Sequence, residues 1–371
     1  MQLLDLPTQS LNVRGDRVLD SLQDIASNVQ IESNFCIRHP DYKPLELPPE
    51  VVARFQHLPL PLQAKYQSLQ LRSFLYGIYY NGSLRKALVP AADSGLTPEQ
   101  NLENNQFQGV DLKFYEQLHS SNHGTGYFDS GWKVLRQEED GTLSVMKDNL
   151  TLHIERERYL RLEHQPAVVG DEIDIRLPRN RVQSGFYMAI SNVSSHDRNP
   201  AHEADWVRIY FNLTPEGAVA MMAAITTQLN DAAIPFKFKA LYNPSDYDRF
   251  DSAVLYSNKQ DYEAIRQVLQ VVYPENRSHF QPEVPLFTKV LAPGLALAEE
   301  PDRKFTSKES FGTHRCQLVA NGLLEAQQNN DESLESRIIS IVHNFSRLGI
   351  DVNHPYLNAN SEDIYATLEP C

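Results

Sequence analysis

The residues of this chain that could do chemistry are cations and a phenol at alternating positions. In the stretch WVRIYFNL (206–213), Arg208, Tyr210 and Asn212 alternate with Val207, Ile209 and Phe211. In FKFKALY (236–242), Lys237 and Lys239 alternate with apolar neighbours, and Arg249 follows in the turn NPSDYDRFD. Successive side chains of a strand point to opposite faces, so these polar groups share faces. Two readings fit. One is the ordinary solvent face of an antiparallel sheet. The other is an anion site. Guanidinium forks bind phosphate bidentately. A lysine pressed against other cations loses its proton more readily and serves as a base near neutrality. A phenol donates a hydrogen bond or a proton to a leaving group. Together these are the parts needed to remove a Cα proton and expel a β-phosphate.

Further candidates lie outside these strands. His314 and Arg315 open the helical stretch that starts near Ser310, and the first turn of a helix favours anions; a surface His–Arg pair is the alternative. Lys147, in SVMKDNL, fits either a phosphate contact or turn chemistry. His123, His196 and His202 fall in polar loops and read as solvated. Asp246, Asp248 and Asp251 surround Arg249 and read as groups that orient it or cap the turn, not as metal ligands. The chain has no GxxxxGK[ST], GxGxxG, HExxH or GxSxG, so no cofactor and no metal is expected.

Bulk properties narrow the class. A net charge of −14 argues against nucleic acid as the main partner, because phosphate backbones need a basic face. It is compatible with a small basic pocket in an acidic body. Cys36, Cys316 and Cys371 are sparse and lack zinc-ligand spacing, which fits a reducing compartment. The first residues carry acids early and no continuous apolar core, so no signal peptide is expected. No apolar run approaches the ~20 residues of a membrane span. No membrane partner and a cytoplasmic location are therefore expected.

The elements that must position the candidates read as an α+β fold: an N-terminal helical region, a β-rich middle and a C-terminal mixed sheet with packed helices. Helices are expected over 10–30, 62–80 and 98–119, with the proline-rich 38–62 wrapping the surface. Asp140-Gly141 joins two strands as a hairpin. EIDIRLP and SGFYMAISN are further strands. From 206 the order is strand, helix, strand, strand, helix, with Thr214 as N-cap and Pro215 opening the first helix. Residues 282–308 read as loop, and two helices close the chain. The expected partition is a mainly helical 1–118 and an α+β domain over 119–371.

The stretch from Val207 to Tyr256 resembles the HopA-type type III effector family, as do NHGTGYFDSGW, VGDEIDIRLP, SGFYMAISN, LAPGLALAEEP and SFGTHRCQLVANGL. The resemblance runs from about residue 120 to 325. Members without a secretion role occur in ribosomal-peptide clusters of the class V lanthipeptide and thioamitide type. There the resemblance implies a lyase that acts on phosphoserine or phosphothreonine of a precursor peptide, beside a separate Ser/Thr kinase, giving dehydroalanine or dehydrobutyrine. A second resemblance, of order and not identity, is to the effector phosphothreonine lyases. It aligns Arg208 with their strand cation, Tyr210 with their acid, Lys239 with their base and Arg249 with their later arginine. Their acid histidine is absent here. The roles so implied are phosphate binding by Arg208 and Arg249 with Arg315, Lys237 and Lys147, proton abstraction by Lys239 with Lys237 as rival, and proton donation by Tyr210 or His314. A non-catalytic peptide- or kinase-binding module and an effector acting on host proteins are the alternatives.

Overall fold

The computed structural model describes residues 17–32, 35–88, 110–193, 205–307 and 309–369. In chain order it runs α1 (Arg17–Asn28), β1 (Gln30–Ile31), β2 (Ile37–His39), β3 (Tyr42–Leu45), α2 (Pro49–Gln56) and α3 (Leu60–Leu75). Then come α4 (Leu112–Ser121), β4 (Tyr127–Gln137), β5 (Leu143–Lys147), β6 (Leu150–Ile154), α5 (Arg156–Tyr159), β7 (Glu172–Leu177), β8 (Asn180–Gln183) and β9 (Phe186–Ile190). The remainder is β10 (Trp206–Phe211), α6 (Pro215–Asp231), β11 (Lys237–Leu241), β12 (Ala253–Asn258), α7 (Tyr262–Glu275), β13 (Lys289–Ala292), β14 (Leu295–Glu299), α8 (Phe311–Gln328) and α9 (Leu334–Arg347).

The α+β class read from the sequence holds, with helices first, strands in the middle and a sheet plus helices after it. Contacts divide the chain into two compact units, and not at the 118/119 boundary expected from the sequence. One comprises 1–103, 285–288 and 303–362; the other comprises 104–284, 289–302 and 363–371. In the first unit the late helices α8 and α9 join the N-terminal ones. Arg337 of α9 donates to the carbonyl of Ala26 at 2.8 Å, and Gln327 of α8 to that of Ile31 at 3.0 Å. The proline-rich stretch is not merely a surface wrap. Pro48 and Pro59 are the N-caps of α2 and α3, and Pro49 and Pro61 sit in their opening turns, where the missing amide costs nothing. A π turn, Tyr76–Tyr80, ends α3 just before Asn81-Gly82.

The second unit holds a four-stranded sheet, β6-β5-β4-β7, and a seven-stranded sheet, β13-β14-β10-β12-β11-β9-β8. The four-stranded sheet closes over Trp132, Val134, Leu143, Val145 and Ile175, with Asp140-Gly141 at the β4–β5 turn. The seven-stranded sheet is antiparallel at every pairing of its strands, where a mixed sheet was expected. The α6 crossover brings β11 back parallel to β10, but β12 lies between them. Two short strands, β13 and β14, occupy the stretch read as loop. Thr214 caps α6 as expected, its hydroxyl accepting from the Gly217 amide at 3.1 Å. Apolar Ile209, Phe211, Phe238 and Leu255 share one face of this sheet, and Phe211 meets Phe238 edge to face with ring centroids 5.4 Å apart. Helix α6 contributes Met221, Met222, Ile225 and Leu229 to the buried core.

In the first unit α8 and α9 pack closely because position 322 has no side chain. A Cβ on Gly322 would stand 2.5 Å from Ile341 Cα and 2.7 Å from its backbone nitrogen. Backbone cannot rotate away, so Gly322→Ala is expected to destabilise by about 1–3 kcal/mol. Chemical denaturation measures this, and a change within about 0.5 kcal/mol, the range of an indifferent surface substitution, would contradict the close approach.

Candidate functional site

The polar face of the seven-stranded sheet is set by register. Arg208 of β10 stands directly opposite Tyr256 of β12, and Tyr256 stands opposite Lys237 of β11. One row away, Tyr210 opposes Val254, Val254 opposes Lys239, and Lys239 opposes Met188 of β9. Directly opposed residues on neighbouring strands share a face. Arg208, Tyr210, Lys237, Lys239 and Tyr256 therefore all belong to one face.

Cations and rings interleave there. The Arg208 guanidinium carbon lies 5.2 Å from the Tyr256 ring centroid. The Lys239 ammonium lies 5.3 Å from the same ring and 4.3 Å from that of Phe186. The Arg249 guanidinium carbon is 6.0 Å from Phe186 on its own account. Each such contact contributes about 0.5–2 kcal/mol, more where water is excluded. Arg208 and Lys239 are half-buried, and Arg249 is 4 % exposed.

Two carboxylates hold the guanidiniums. Glu300, just beyond β14, takes the Nε of Arg208 in a short ion pair. Asp251 takes both Nε and Nη2 of Arg249, at 2.5 and 2.9 Å. The turn that carries Arg249 is itself tied down. The Tyr247 hydroxyl donates to the Leu241 carbonyl at 2.7 Å, and the Ser252 hydroxyl donates to that of Phe211 at 3.1 Å. Asp251 thus orients Arg249, as read from the sequence, and engages its fork.

Tyr256 lies at the centre of this cationic face. Burial pushes its phenol up, but the positive charges of Lys239 and Arg208 beside it outweigh burial and bring it below the ordinary tyrosine range. Tyr210, 3 % exposed, lies on the same face two residues from Arg208.

Of the remaining sequence candidates, Lys237 shares this face and the others lie elsewhere. Lys237 and Lys147 line a cleft of about 440 Å³ within the same unit. Lys237 faces the Trp206 ring at 4.8 Å. Lys147 donates to Asp129 at 2.8 Å and to the Ser130 carbonyl at 2.7 Å. His314 and Arg315 belong to the other unit and are buried, at 1 % and 0 % exposure. The Arg315 guanidinium donates to the carbonyls of Pro355 and Leu357, at 2.7 and 3.1 Å, and meets His314 Nδ1 at 2.7 Å. Those contacts tie α8 to the segment after α9 and replace the surface pair that the sequence allowed. His123 is described, whereas His196 and His202 lie outside the described residues. Among the described residues no group of three His, Cys, Asp or Glu side chains could hold a metal ion, and no helix is long and apolar enough to cross a membrane.

Sequence reading missed Tyr256, Phe186 and Glu300. The signal for Tyr256 was present: Val254, Tyr256 and Asn258 alternate in the third strand just as Arg208 and Tyr210 do in the first. Phe186 and Glu300 reach the site only through strand pairing distant in sequence, which leaves no local trace.

Comparison with known proteins follows this geometry. Residues 177–357 match the model of the HopA1 effector protein family. That span includes Phe186, Arg208, Lys239, Arg249, Tyr256 and Glu300. No curated protein compared with the chain matches it. Among solved structures, an effector protein of Pseudomonas syringae pv. syringae strain 61 aligns at 16 % identity and TM-score 0.44, covering 94 % of this chain and 100 % of that one. An effector protein of Pseudomonas syringae pv. tomato strain DC3000 aligns at 18 % identity and TM-score 0.40, covering 78 % and 90 %.

The Lys239–Tyr256 pair is testable without a substrate. Of the described tyrosines, Tyr187 is pushed up to about 12 by burial and Tyr79, Tyr247, Tyr262 and Tyr365 are also raised, so Tyr256 should ionise before these. Ultraviolet difference titration should show an early tyrosinate step that Tyr256→Phe removes and Lys239→Met moves to higher pH. An early step that survives Tyr256→Phe would assign it to another residue.

Proposed function

We propose that this chain is a lyase that eliminates phosphate from phosphoserine or phosphothreonine, leaving dehydroalanine or dehydrobutyrine. The observation that carries this reading is the approach of Lys239 and Arg208 to the Tyr256 ring, at 5.3 and 5.2 Å from its centroid, a base and an acid side by side on one cationic face. Arg208 offers the phosphate its terminal amino groups, since Glu300 engages the Nε edge. Lys239 first gives up a proton to solvent, and the free amine then takes the Cα proton and becomes an ammonium again. The electron pair of the broken Cα–H bond forms the Cα=Cβ double bond. The Cβ–O bond breaks, and the phosphate departs with its bonding pair and takes a proton from Tyr256. Because acid and base stand together, both act on the same side of the Cα–Cβ bond. Arg208 and Lys239 also offset the charge that develops on the leaving oxygen. Arg249, forked onto Asp251, stiffens the Phe186 side of the site. A Ser/Thr kinase is the partner that would supply the substrate.

A second reading concerns the target rather than the chemistry. The HopA1 effector protein family match favours an effector that acts on host proteins. The two readings separate on substrate: a short precursor peptide for one, a folded host phosphoprotein for the other.

Mass spectrometry of a phosphoserine peptide incubated with the protein tests the chemistry. Elimination leaves a product lighter by H3PO4 that reacts with added thiol. A phosphatase would leave serine, lighter by HPO3 and inert to thiol, and a pure binding module would leave the peptide intact; either result would overturn the lyase. Lys239→Ala is expected to lower turnover at least about 100-fold, as for loss of a general base, with peptide affinity retained. Turnover near the wild-type rate would remove Lys239 as the base.

The pH dependence has a defined sign. Tyr256 must be protonated to donate, so the rate falls as pH rises through its pKa, which lies below the ordinary tyrosine value of about 10. Tyr256→Phe should cut kcat about 100-fold and abolish this alkaline limb. An unchanged limb in the variant would return the donor role to Tyr210.

A further inference from the structure

Strand β9 is buried along its length with one exception. Phe186, Tyr187, Ala189 and Ile190 are buried, and Met188 in their midst is half-buried. Register places Met188 on the reacting face. It stands directly opposite Lys239 of β11 on one side and Arg181 of β8 on the other. Val254, which flanks Lys239 on the β12 side, is 3 % exposed and offers a ligand almost no surface. A half-exposed methionine is ordinary on a protein surface. Here its neighbours along the strand are all buried, and it is the apolar side chain that a ligand held at Lys239 meets on the side away from Tyr256.

Strand order sets the direction in which a substrate lies. Across the face the order is β10, β12, β11, β9, β8, with neighbouring strands about 4.8 Å apart. Arg208, the phosphate cation, is on β10, and Lys239, the base, is on β11, two strand spacings away. In a phosphoserine the phosphorus and Cα are joined through Cβ and one oxygen. A side chain that presents phosphate to Arg208 and Cα to Lys239 therefore lies across the strands, not along them. The main chain starts above β11, and one of its two directions leads over β9. Consecutive Cα atoms are about 3.8 Å apart, close to the single strand spacing that separates Lys239 from Met188. The residue next to the phosphorylated one thus comes to Met188. An unbranched thioether adapts to apolar side chains of different shape.

We propose that Met188 is a specificity-determining residue, which favours an apolar side chain directly next to the phosphorylated residue of the peptide. The proposal rests on the phosphopeptide-lyase reading of the same face for its substrate.

The test uses the full chain and fluorescent phosphoserine peptides with Leu, or Asn of similar size, directly before or directly after the phosphoserine. Affinity is read by anisotropy and elimination by mass, and each is expressed as the ratio of Leu to Asn. At one of the two positions Leu should bind about fivefold tighter than Asn, the effect of partly burying one Leu side chain. Met188→Gln keeps the length and removes the apolar end, so it should bring the ratio to about one. Met188→Leu should retain the ratio. Met188→Ala should also lower it toward one, and serves where the glutamine variant does not fold. A merely structural role would weaken both peptides alike and leave the ratio unchanged. A ratio near one at both positions in the wild-type chain, or a raised ratio that survives Met188→Gln or Met188→Ala, overturns the assignment. Elimination with a flat ratio sinks the role of Met188 and keeps the lyase. A ratio that follows residue 188 without elimination keeps the contact and sinks the lyase. No binding of any peptide overturns both.

Discussion

The site depends on where β12 lies. Because β12 inserts between β10 and β11, a single phenol comes to lie between a guanidinium on one neighbouring strand and an ammonium on the other. Pairing β10 directly with β11 would bring Arg208 toward the lysines with no ring between them, and two or three bare cations would repel one another in a half-buried space. The interposed ring turns repulsion into cation–π attraction and spreads the charge across the face. The arrangement is register-sensitive. A one-residue slip of β12 would carry Tyr256 to the face now held by Ile209, Phe211 and Phe238 and bring Leu255 among the cations. The core on the far face and the chemistry on the near face are fixed by the same strand pairing.

Carboxylates then decide which cations can serve a ligand. Removing one partner of a buried ion pair costs about 3–5 kcal/mol. An arriving anion would therefore not pull Arg249 off Asp251, which takes two of its nitrogens. Arg208 is held by Glu300 through one nitrogen, which leaves its other edge facing the cationic face. This difference follows from hydrogen-bond count alone and divides two arginines that look alike in the sequence. Neighbouring Glu299 turns to the opposite face, where it accepts from Tyr365 and Lys259, both at 2.7 Å. Consecutive acids on β14 and its end thus anchor the terminal segment on one face and orient Arg208 on the other.

Strand alternation made much of this legible. The faces of β10 and β11, the cap of α6 and the hairpin at Asp140-Gly141 are local patterns, and each appears in the structure as read. The order of strands in the sheet is not local. The sequence order strand-helix-strand-strand fits a mixed sheet as well as an antiparallel one, and only the position of β12 separates them. Similarly, β13 and β14 are short and contain alanines and glycine-proline turns, so intrinsic propensity marked them as loop while pairing with β10 made them strands. His314 and Arg315 show the converse error. A helix start seemed to offer them to an anion, but α8 is buried nearly all round, and backbone carbonyls after α9 take the guanidinium. Burial of a whole helix leaves only a weak local pattern, because its polar residues are satisfied by chain far away in sequence.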